Sequence, residues 1–175
     1  LPDIARNEDA SISVIMPTGM FGNVGDIASY TCTLSSGLAL PSWLVFNSST
    51  LTLSGTPANS NIGLYDIRIR ANYTSGATVE DNFRLTVNNV NDAPTVTRAI
   101  ADVSISEDGN LNLTLPTDTF ADIDVGDSLV YSAKLANGSA LPSWLTFNGV
   151  TRQFTGTPSN ADVSTLLVRV TASDK

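Results

Sequence analysis

The sequence predicts an all-β protein built of two tandem Greek-key β-sandwiches. The prediction rests on a sequence repeat of about 100 residues, on two-residue alternation of apolar side chains, and on the lack of a sustained helical apolar pattern. With 42% hydrophobic and 15% charged residues, the 175-residue chain can bury cores and is not a disordered tail. The three observations therefore describe a folded protein of short strands.

The repeat is carried by two short motifs. Leu40–Leu44, which reads LPSWL, recurs as Leu141–Leu145, and Ser54–Pro57, which reads SGTP, recurs as Thr155–Pro158. Both recurrences have an offset of 101 residues. Upstream of these motifs, the offset between the two copies is 99 residues, because the first copy has lost two residues between positions 21 and 25. A repeat of this kind fixes the number of domains before any strand is assigned.

Each copy is predicted to contain about seven short strands, separated by turns rich in Gly, Pro, Asn and Ser. Residues 65–71 and 83–87 alternate apolar with polar side chains, as half-buried strands do. Residues 166–172 repeat the pattern in the second copy. This number of strands in roughly 100 residues is typical of an immunoglobulin-like sandwich.

We expect the first repeat to span residues 1–92 and the second to span residues 93–175. The second copy has no counterpart of the segment 81–88, so the sequence predicts a second sandwich that lacks its final strand. Such a sandwich exposes a long unpaired edge, which invites aggregation or pairing with another segment. The chain is therefore interpreted as part of something longer.

The composition argues against several classes of function. Seventeen acidic and nine basic residues give a net charge of -8, which repels phosphate backbones and anionic membranes and attracts cations. We therefore expect no nucleic-acid partner. Histidine is absent, which argues against most hydrolase and zinc chemistry. No apolar stretch of about 20 residues occurs, so we expect no membrane insertion within this chain.

Three other residue types have a structural and a functional interpretation. Trp43 and Trp144 stand at matched positions beside apolar neighbours, and we interpret them as core anchors rather than ligand-stacking platforms. The Gly-Thr-Pro turns are interpreted as glycine at positive φ followed by proline that ends strand pairing, with recognition loops as the alternative. Cys32 lies in an alternating segment and is expected to be a small buried hydrophobic residue.

A cluster of carboxylates is the candidate functional site. Asp122, Asp124 and Asp127 fall within one turn-like segment, where like charges repel unless they are exposed or neutralised by a cation. Calcium takes six to eight oxygen ligands, many of them carboxylates. The segment is thus a candidate calcium site, and a solvated acidic loop without metal is the alternative.

Several of these motifs together resemble the cadherin-like repeats of the dystroglycan type, which occur in large adhesins, dystroglycan-like receptors and some polysaccharide-active surface proteins. The resemblance covers essentially the whole chain. It rests on the LPSWL and Gly-Thr-Pro motifs and on three segments, Asn89–Pro94, Phe120–Asp127 and Val170–Asp174. It implies an extracellular or cell-surface protein with calcium at the junction of the repeats. The ligands implied are Glu8, Asn89, Asn91, Asp92, Asp122, Asp124, Asp127 and Asp174.

The first copy departs from this ligand pattern. Asn23 stands where the second copy has Asp124, and Tyr73 stands where it has Asp174. The two-residue deletion removes a third acidic position, so that only Asp26 remains of the set. We therefore expect the amino-terminal pole of the first repeat to be metal-free or to bind metal weakly.

Three functions fit these features. The leading hypothesis is a calcium-stiffened structural and adhesive segment that projects other modules and is not an enzyme. The second is a binding module that recognises a cell-surface glycan, a protein or another copy of itself through exposed loops or edge strands. The third is an enzyme, for instance a glycosidase with paired carboxylates about 5 to 10 Å apart. A cluster of exposed aromatic residues would favour the second hypothesis, and paired acids in a deep cleft would favour the third.

Overall fold

The computed structural model describes residues 1–22 and 24–174. The chain splits into two compact units, Leu1–Val90 and Asn91–Lys175, which are described separately below. Regular structure in the described residues consists of fourteen strands and three single-turn 3-10 helices. The prediction of a nearly all-β chain is confirmed.

The first unit contains seven strands in two sheets. Strands β1, β7, β6 and β3 form a four-stranded sheet in that order, and β2, β5 and β4 form a three-stranded sheet. All pairings are antiparallel except that of β1 with β7, which is parallel. The bounds are β1 Ile4–Asn7, β2 Ile12–Ile15, β3 Ile27–Leu34, β4 Leu44–Asn47, β5 Thr52–Gly55, β6 Gly63–Tyr73 and β7 Thr78–Asn88, with 3-10 turns at Val24–Asp26 and Asn59–Asn61.

The second unit also contains seven strands, but they form smaller sheets. Strands β12, β13 and β9 form a three-stranded sheet, while β11 pairs with β14 and β10 with β8. The bounds are β8 Thr95–Val96, β9 Leu111–Thr114, β10 Phe120–Ala121, β11 Val130–Leu135, β12 Leu145–Asn148, β13 Gln153–Gly156 and β14 Val168–Ser173, with a 3-10 turn at Asn160–Asp162.

Strands β6 and β7 form the longest ladder of the first unit, because apolar and polar side chains alternate along both strands. One face of each strand is apolar and packs into the core between the two sheets, where six side chains are at most 3% exposed. The opposite face carries cross-strand ion pairs, Arg84 with Asp66 and Arg70 with Glu80. The buried side chains are Ile67, Ile69, Ala71, Phe83, Leu85 and Val87.

The second unit has a thinner core. Leu115, Leu145 and Phe154 are its buried members, and partly buried apolar side chains surround them. The inward residues of β14 are only half-buried, although the same positions of β6 are fully buried in the first unit. The reason is that β14 pairs with β11 alone within the described residues, whereas β6 pairs on both edges.

Both tryptophans pack against the cores at equivalent positions, as expected for core anchors. Trp43 and Trp144 are half-buried and each contacts the hydrophobic cluster of its own unit. Trp43 also meets the ring of Tyr65 edge-on, with 5.4 Å between the ring centroids. Neither indole lies on an open face, so the ligand-platform alternative loses its support.

The explanation predicted for the Gly-Thr-Pro glycines is wrong. Neither Gly55 nor Gly156 is among the residues with positive φ. Glycine is required because the backbone comes too close for a side chain: an added Cβ would lie 2.1 Å from the carbonyl oxygen of Trp43 or Trp144, respectively. The two repeated motifs of the sequence therefore contact each other in both units.

We expect Gly156→Ala to destabilise the second unit, because the new methyl group overlaps a backbone oxygen that cannot easily move. Because the overlap is with backbone, we expect a cost at the upper end of the overpacking range, about 3 kcal/mol. Urea denaturation followed by tryptophan fluorescence measures the change. Gly138→Ala is the matched control, since Gly138 has positive φ and nothing within 4 Å of its Cβ position. The control should cost about 1 kcal/mol. Equal costs for the two variants would contradict the close-contact explanation.

Cys32 on β3 is half-buried and packs against the core of the first unit. It was expected to be a small buried hydrophobic residue, so it is somewhat more exposed than predicted. Burial raises the pKa of its thiol to about 11, because desolvation disfavours the thiolate. The thiol is thus almost wholly protonated near neutral pH.

We expect iodoacetamide at pH 8 to alkylate Cys32 about a hundredfold more slowly than it alkylates free cysteine, whose pKa is about 8.5. The rate should rise about tenfold for each pH unit up to the folded pKa. Mass spectrometry over time measures this, and the urea-unfolded chain is the control. A rate equal to that of the unfolded chain would contradict the burial.

Candidate metal centre in the second unit

The acidic loop Asp122–Asp127 follows the short strand β10 and shows an inverted pattern of burial. Asp124 is only 5% exposed, whereas its apolar neighbours Ile123 and Val125 are 60% and 100% exposed. If hydrophobicity alone decided burial, Ile123 and Val125 would be buried and Asp124 would be exposed, because burying a charged group costs free energy unless a partner compensates it. The loop therefore buries the Asp124 carboxylate against the ordinary preference, while Asp122 is half-buried and Asp127 is exposed.

Hydrogen bonds within the loop explain how it turns. The backbone N–H of Asp124 donates to Oδ1 of Asp122 at 2.9 Å, which closes an Asx turn. The N–H of Asp127 donates to the carbonyl oxygen of Asp124 at 3.3 Å, and Gly126 between them has φ of 102°. A residue with a side chain would be strained at Gly126, so the sequence DIDVGD suits this turn.

The turn brings three carboxylates together. One oxygen from each of Asp122, Asp124 and Asp127 lies within 4.8 Å of the others. Oδ2 of Asp122 is buried and has no hydrogen-bond partner. An unsatisfied buried carboxylate oxygen costs roughly 1 to 3 kcal/mol or more. A bound cation would remove this cost and the mutual repulsion of the three charges at once.

Residues at the start and end of the second unit join this region through hydrogen bonds. The backbone N–H of Asp92 donates to Oδ2 of Asp124 at 2.7 Å. The side-chain amide of Asn91 donates to Oδ2 of Asp174 at 2.8 Å. Two oxygen-bearing groups from distant parts of the chain are thus linked to Asn91 and Asp92. All the predicted ligands that belong to the second unit lie in this network or in the acidic loop.

Glu8 belongs to the first unit and is 2% exposed. Its Oε1 accepts a hydrogen bond from the backbone N–H of Val90 at 2.9 Å, and its own N–H donates to the carbonyl oxygen of Asn88 at 3.0 Å. Its Oε2 is buried and has no hydrogen-bond partner. The predicted ligand Asn89 is exposed on the segment after β7. Glu8 is therefore a fixed and incompletely satisfied carboxylate.

Sequence reasoning missed Asp9 as a candidate. An oxygen of its carboxylate lies within 4.8 Å of one of Glu8, and its backbone has φ of 55°. The equivalent Asp108 has φ of 59°, so the conformation recurs in both copies. The signal was present in the matched triplets Asn-Glu-Asp and Ser-Glu-Asp, from which only the glutamates were selected.

The equivalent pole of the first unit is built differently. Tyr73, which replaces the Asp174 position, donates its hydroxyl to the carbonyl oxygen of Phe21. The backbone carbonyl of Asp26 accepts the N–H of Thr74 at 2.9 Å. Asn23, the predicted counterpart of Asp124, lies outside the described residues. A neutral phenol therefore occupies the place that a carboxylate has in the second unit.

Comparison with known families identifies the repeats. Residues 1–88 and 93–175 each match the family described as "Putative Ig domain". The chain belongs to this family. Two tandem Ig domains thus account for nearly all of the sequence. No curated protein matches this chain.

Solved structures with a similar fold include cadherins. EC1-4 of Drosophila N-cadherin matches with a TM-score of 0.61 and 15% identity over 99% of this chain and 44% of that one. EC3-6 of protocadherin gammaB7 matches with a TM-score of 0.53 and 12% identity over 98% and 44%. These likenesses show the fold, and they confirm the predicted immunoglobulin- and cadherin-like tandem sandwiches.

A third structure is an endo-fucoidan hydrolase from glycoside hydrolase family 107, with a TM-score of 0.40, 21% identity and coverage of 99% of this chain and 26% of that one. A likeness of that size says nothing about activity. This chain spans between 26% and 44% of the lengths of these three structures. Within the described residues, no helix is both long and apolar enough to cross a membrane.

Proposed function

We propose that the second unit binds calcium through its acidic loop, and that the chain is a calcium-binding structural and adhesive segment of a larger extracellular or cell-surface protein. The observation that carries this proposal is the inward-turned loop, in which Asp124 is buried and Oδ2 of Asp122 has no hydrogen-bond partner. The resemblance to cadherin-like repeats of the dystroglycan type supports the same assignment.

The donor atoms suit calcium better than other metals. They are carboxylate oxygens with amide and backbone carbonyl oxygens nearby, and calcium accepts six to eight such ligands in flexible geometry. Zinc and copper prefer nitrogen and sulfur ligands, and the chain has no histidine and one cysteine. Asn91 and Asp174 hydrogen-bond to each other, and Asp92 donates its backbone N–H to Asp124, so these residues are candidates for further oxygen ligands. The net charge of -8 adds a long-range attraction for cations.

The adhesive part of the proposal rests on the fold. Cadherins and protocadherins are among the solved structures with this tandem arrangement of sandwiches. The alternative function, a module that binds a glycan or a protein through loops or edge strands, stays a prediction. We propose no catalytic role for the residues of the acidic loop. The expectation that the chain is not an enzyme also stays a prediction.

Calcium should raise the melting temperature of the chain, because the metal binds the folded loop and not the unfolded one. At calcium concentrations a hundredfold above Kd, the gain is about 2.7 kcal/mol. Asp122→Asn should reduce calcium affinity about tenfold or more, equivalent to about 1.4 kcal/mol. The asparagine keeps an oxygen for the Asx turn, so the loop itself should survive. Calorimetric melting with calcium and with a chelator measures both effects.

Asp118→Asn is the matched control, since it removes the same charge from an exposed position that pairs with Arg98 at the surface. This variant should retain the wild-type response to calcium. If the wild-type melting curves in calcium and in chelator coincide, the loop is merely solvated and the proposal is wrong.

Glu8 and Asn89 were predicted to ligate the same calcium and so to stiffen the junction of the repeats, and this stays a prediction. If it holds, Glu8→Gln should weaken calcium binding about as much as Asp122→Asn does. The glutamine keeps the oxygen that accepts the Val90 N–H, so the fold should remain. Isothermal titration with calcium measures the affinity, and small-angle scattering with and without calcium measures the stiffening. Unchanged affinity in Glu8→Gln would remove Glu8 from the ligand set.

A further inference from the structure

Strand β3 of the first unit has an open edge that borders a groove. Within residues 1–22 and 24–174, β3 pairs only with β6, and β4 is an edge strand of the other sheet. The groove between these two edges has a volume of about 620 Å³, and all of its lining residues fall between positions 30 and 48. The groove is therefore formed by one continuous segment of the first unit.

Backbone groups of Tyr30 and Cys32 point toward the open edge. The N–H of Leu34 donates to the carbonyl oxygen of Leu38 at 2.9 Å, and Leu38 lies after β3 and not on β6. Backbone groups of an antiparallel strand alternate in direction, so those of Tyr30 and Cys32 share the direction of Leu34. Outside the ladder with β6, no described residue forms a hydrogen bond with the backbone of Tyr30 or Cys32. Their N–H and C=O groups are therefore available to another strand.

The second unit protects the equivalent edge in two ways. Gly149, which follows β12, approaches β11 so closely that an added Cβ would lie 2.3 Å from the carbonyl oxygen of Tyr131. Tyr131 aligns with Tyr30 at the offset of 101 residues. Lys134 places a charge on β11, and charged residues on edge strands oppose unwanted strand pairing.

In the first unit, both of these positions carry a different residue. Ser48 stands at the position of Gly149, and its Cβ could not occupy the close approach that the glycine makes. Ser48 lines the groove instead. Thr33 stands at the position of Lys134, and the sequence of β3 has no charged residue and no proline. An edge strand of this kind accepts an additional strand.

The lining of the groove indicates which side chains such a strand carries. Among the described residues, no charged side chain lines the groove, and Leu40, Leu44 and Phe46 contribute apolar surface. A strand paired with β3 turns every second side chain toward this surface. Burying a charge there would cost free energy, so apolar side chains are favoured. A second copy of the chain is a less favourable occupant, because each copy carries a net charge of -8.

We propose that β3 binds an extended segment of a partner protein. The segment runs antiparallel to β3, as β6 does on the other edge, and pairs with the backbone of Tyr30 and Cys32. Its apolar side chains enter the groove at alternate positions. The interaction involves only the first unit and is independent of calcium at the acidic loop.

The probe is the synthetic peptide acetyl-Lys-Thr-Val-Thr-Ile-Thr-Val-Lys-amide, added to the full chain. Its apolar residues alternate as the groove requires, and its lysines complement the negative net charge of the chain. Amide hydrogen exchange, read by NMR, should become at least tenfold slower at Tyr30 and Cys32 when the peptide saturates. Exchange at Thr31 and Thr33 should change little, because their N–H groups already face β6.

Two N-methylated peptides distinguish backbone pairing from unspecific apolar contact. Methyl groups on the valine and isoleucine nitrogens remove the donors that face β3, whereas methyl groups on the threonine nitrogens leave those donors intact. The first peptide should bind at least tenfold more weakly than the second.

A charged variant of the chain tests the groove itself. Thr33→Lys combined with Val45→Lys places two charges on residues that line the groove, and should weaken peptide binding at least tenfold. The unit should stay folded, since Lys134 occupies the position of Thr33 in the second unit and Val45 is 59% exposed. Ser13→Lys combined with Ile15→Lys is the matched control, because it adds the same charges to exposed residues of β2 outside the groove. The control should bind the peptide as the wild type does.

The proposal is wrong if the peptide at millimolar concentration leaves exchange at Tyr30 and Cys32 unchanged, or if the two N-methylated peptides bind equally. It is also wrong if these amides are protected without peptide to a degree that grows with protein concentration, which would mean that two copies pair through β3. Groove signals that shift with maltohexaose but not with the peptide would assign the site to a neutral glycan instead.

Discussion

The pairing of β6 with β7 is the interaction on which the first unit depends. It joins two eleven-residue strands along nearly their whole length and places alternate apolar side chains of both into one core. It also provides the edge along which β1 runs in parallel. Because the chain leaves β7 beside Glu8, the same pairing holds the backbone N–H of Val90 against the glutamate. The core, the first strand and the buried carboxylate therefore share one cause.

The described residues of the second unit include no counterpart of β7. Its β14 retains the alternation of β6, yet the inward side chains remain half-buried because a strand covers only one edge. Glu107 is exposed although Glu8 is buried. The burial of Glu8 therefore depends on the segment that follows β7 as well as on the local sequence. This matters for metal binding, since a buried carboxylate is more fixed and less screened than an exposed one.

Much of the fold could be predicted because its determinants are local. The alternation at residues 65–71 and 83–87 corresponds to β6 and β7, and the repeat offset placed Trp43 and Trp144 in equivalent sites. The role of Gly55 could not be predicted in the same way. Glycine at a turn commonly indicates positive φ, and only the three-dimensional proximity of the Trp43 carbonyl shows the real constraint.

The candidate site could likewise be predicted from the sequence only where its determinants are local. The close spacing of Asp122, Asp124 and Asp127 in sequence was sufficient to predict that their carboxylates meet. The spacing did not reveal that Ile123 and Val125 would face solvent while Asp124 is buried, because that inversion depends on the Asx turn at Asp122. The contacts of Asn91 with Asp174 join positions far apart in the chain and entered the prediction only through the family resemblance. Such contacts have no local signal in a single sequence.

The two copies differ at the position of Tyr73 and Asp174, and the difference agrees with the proposal that the second unit binds a cation. In the first copy, Tyr73 donates its hydroxyl to the carbonyl oxygen of Phe21, so a donor stands where the second copy has a carboxylate. In the second copy, Asp174 stands at that position, and its Oδ2 accepts a hydrogen bond from the side-chain amide of Asn91. The neighbouring Asp92 donates its backbone N–H to Oδ2 of Asp124, so carboxylates from two distant parts of the chain are held by adjacent residues. A hard cation, which prefers carboxylate and amide oxygens, would suit such a set of groups, and this agrees with the calcium proposed for the second unit.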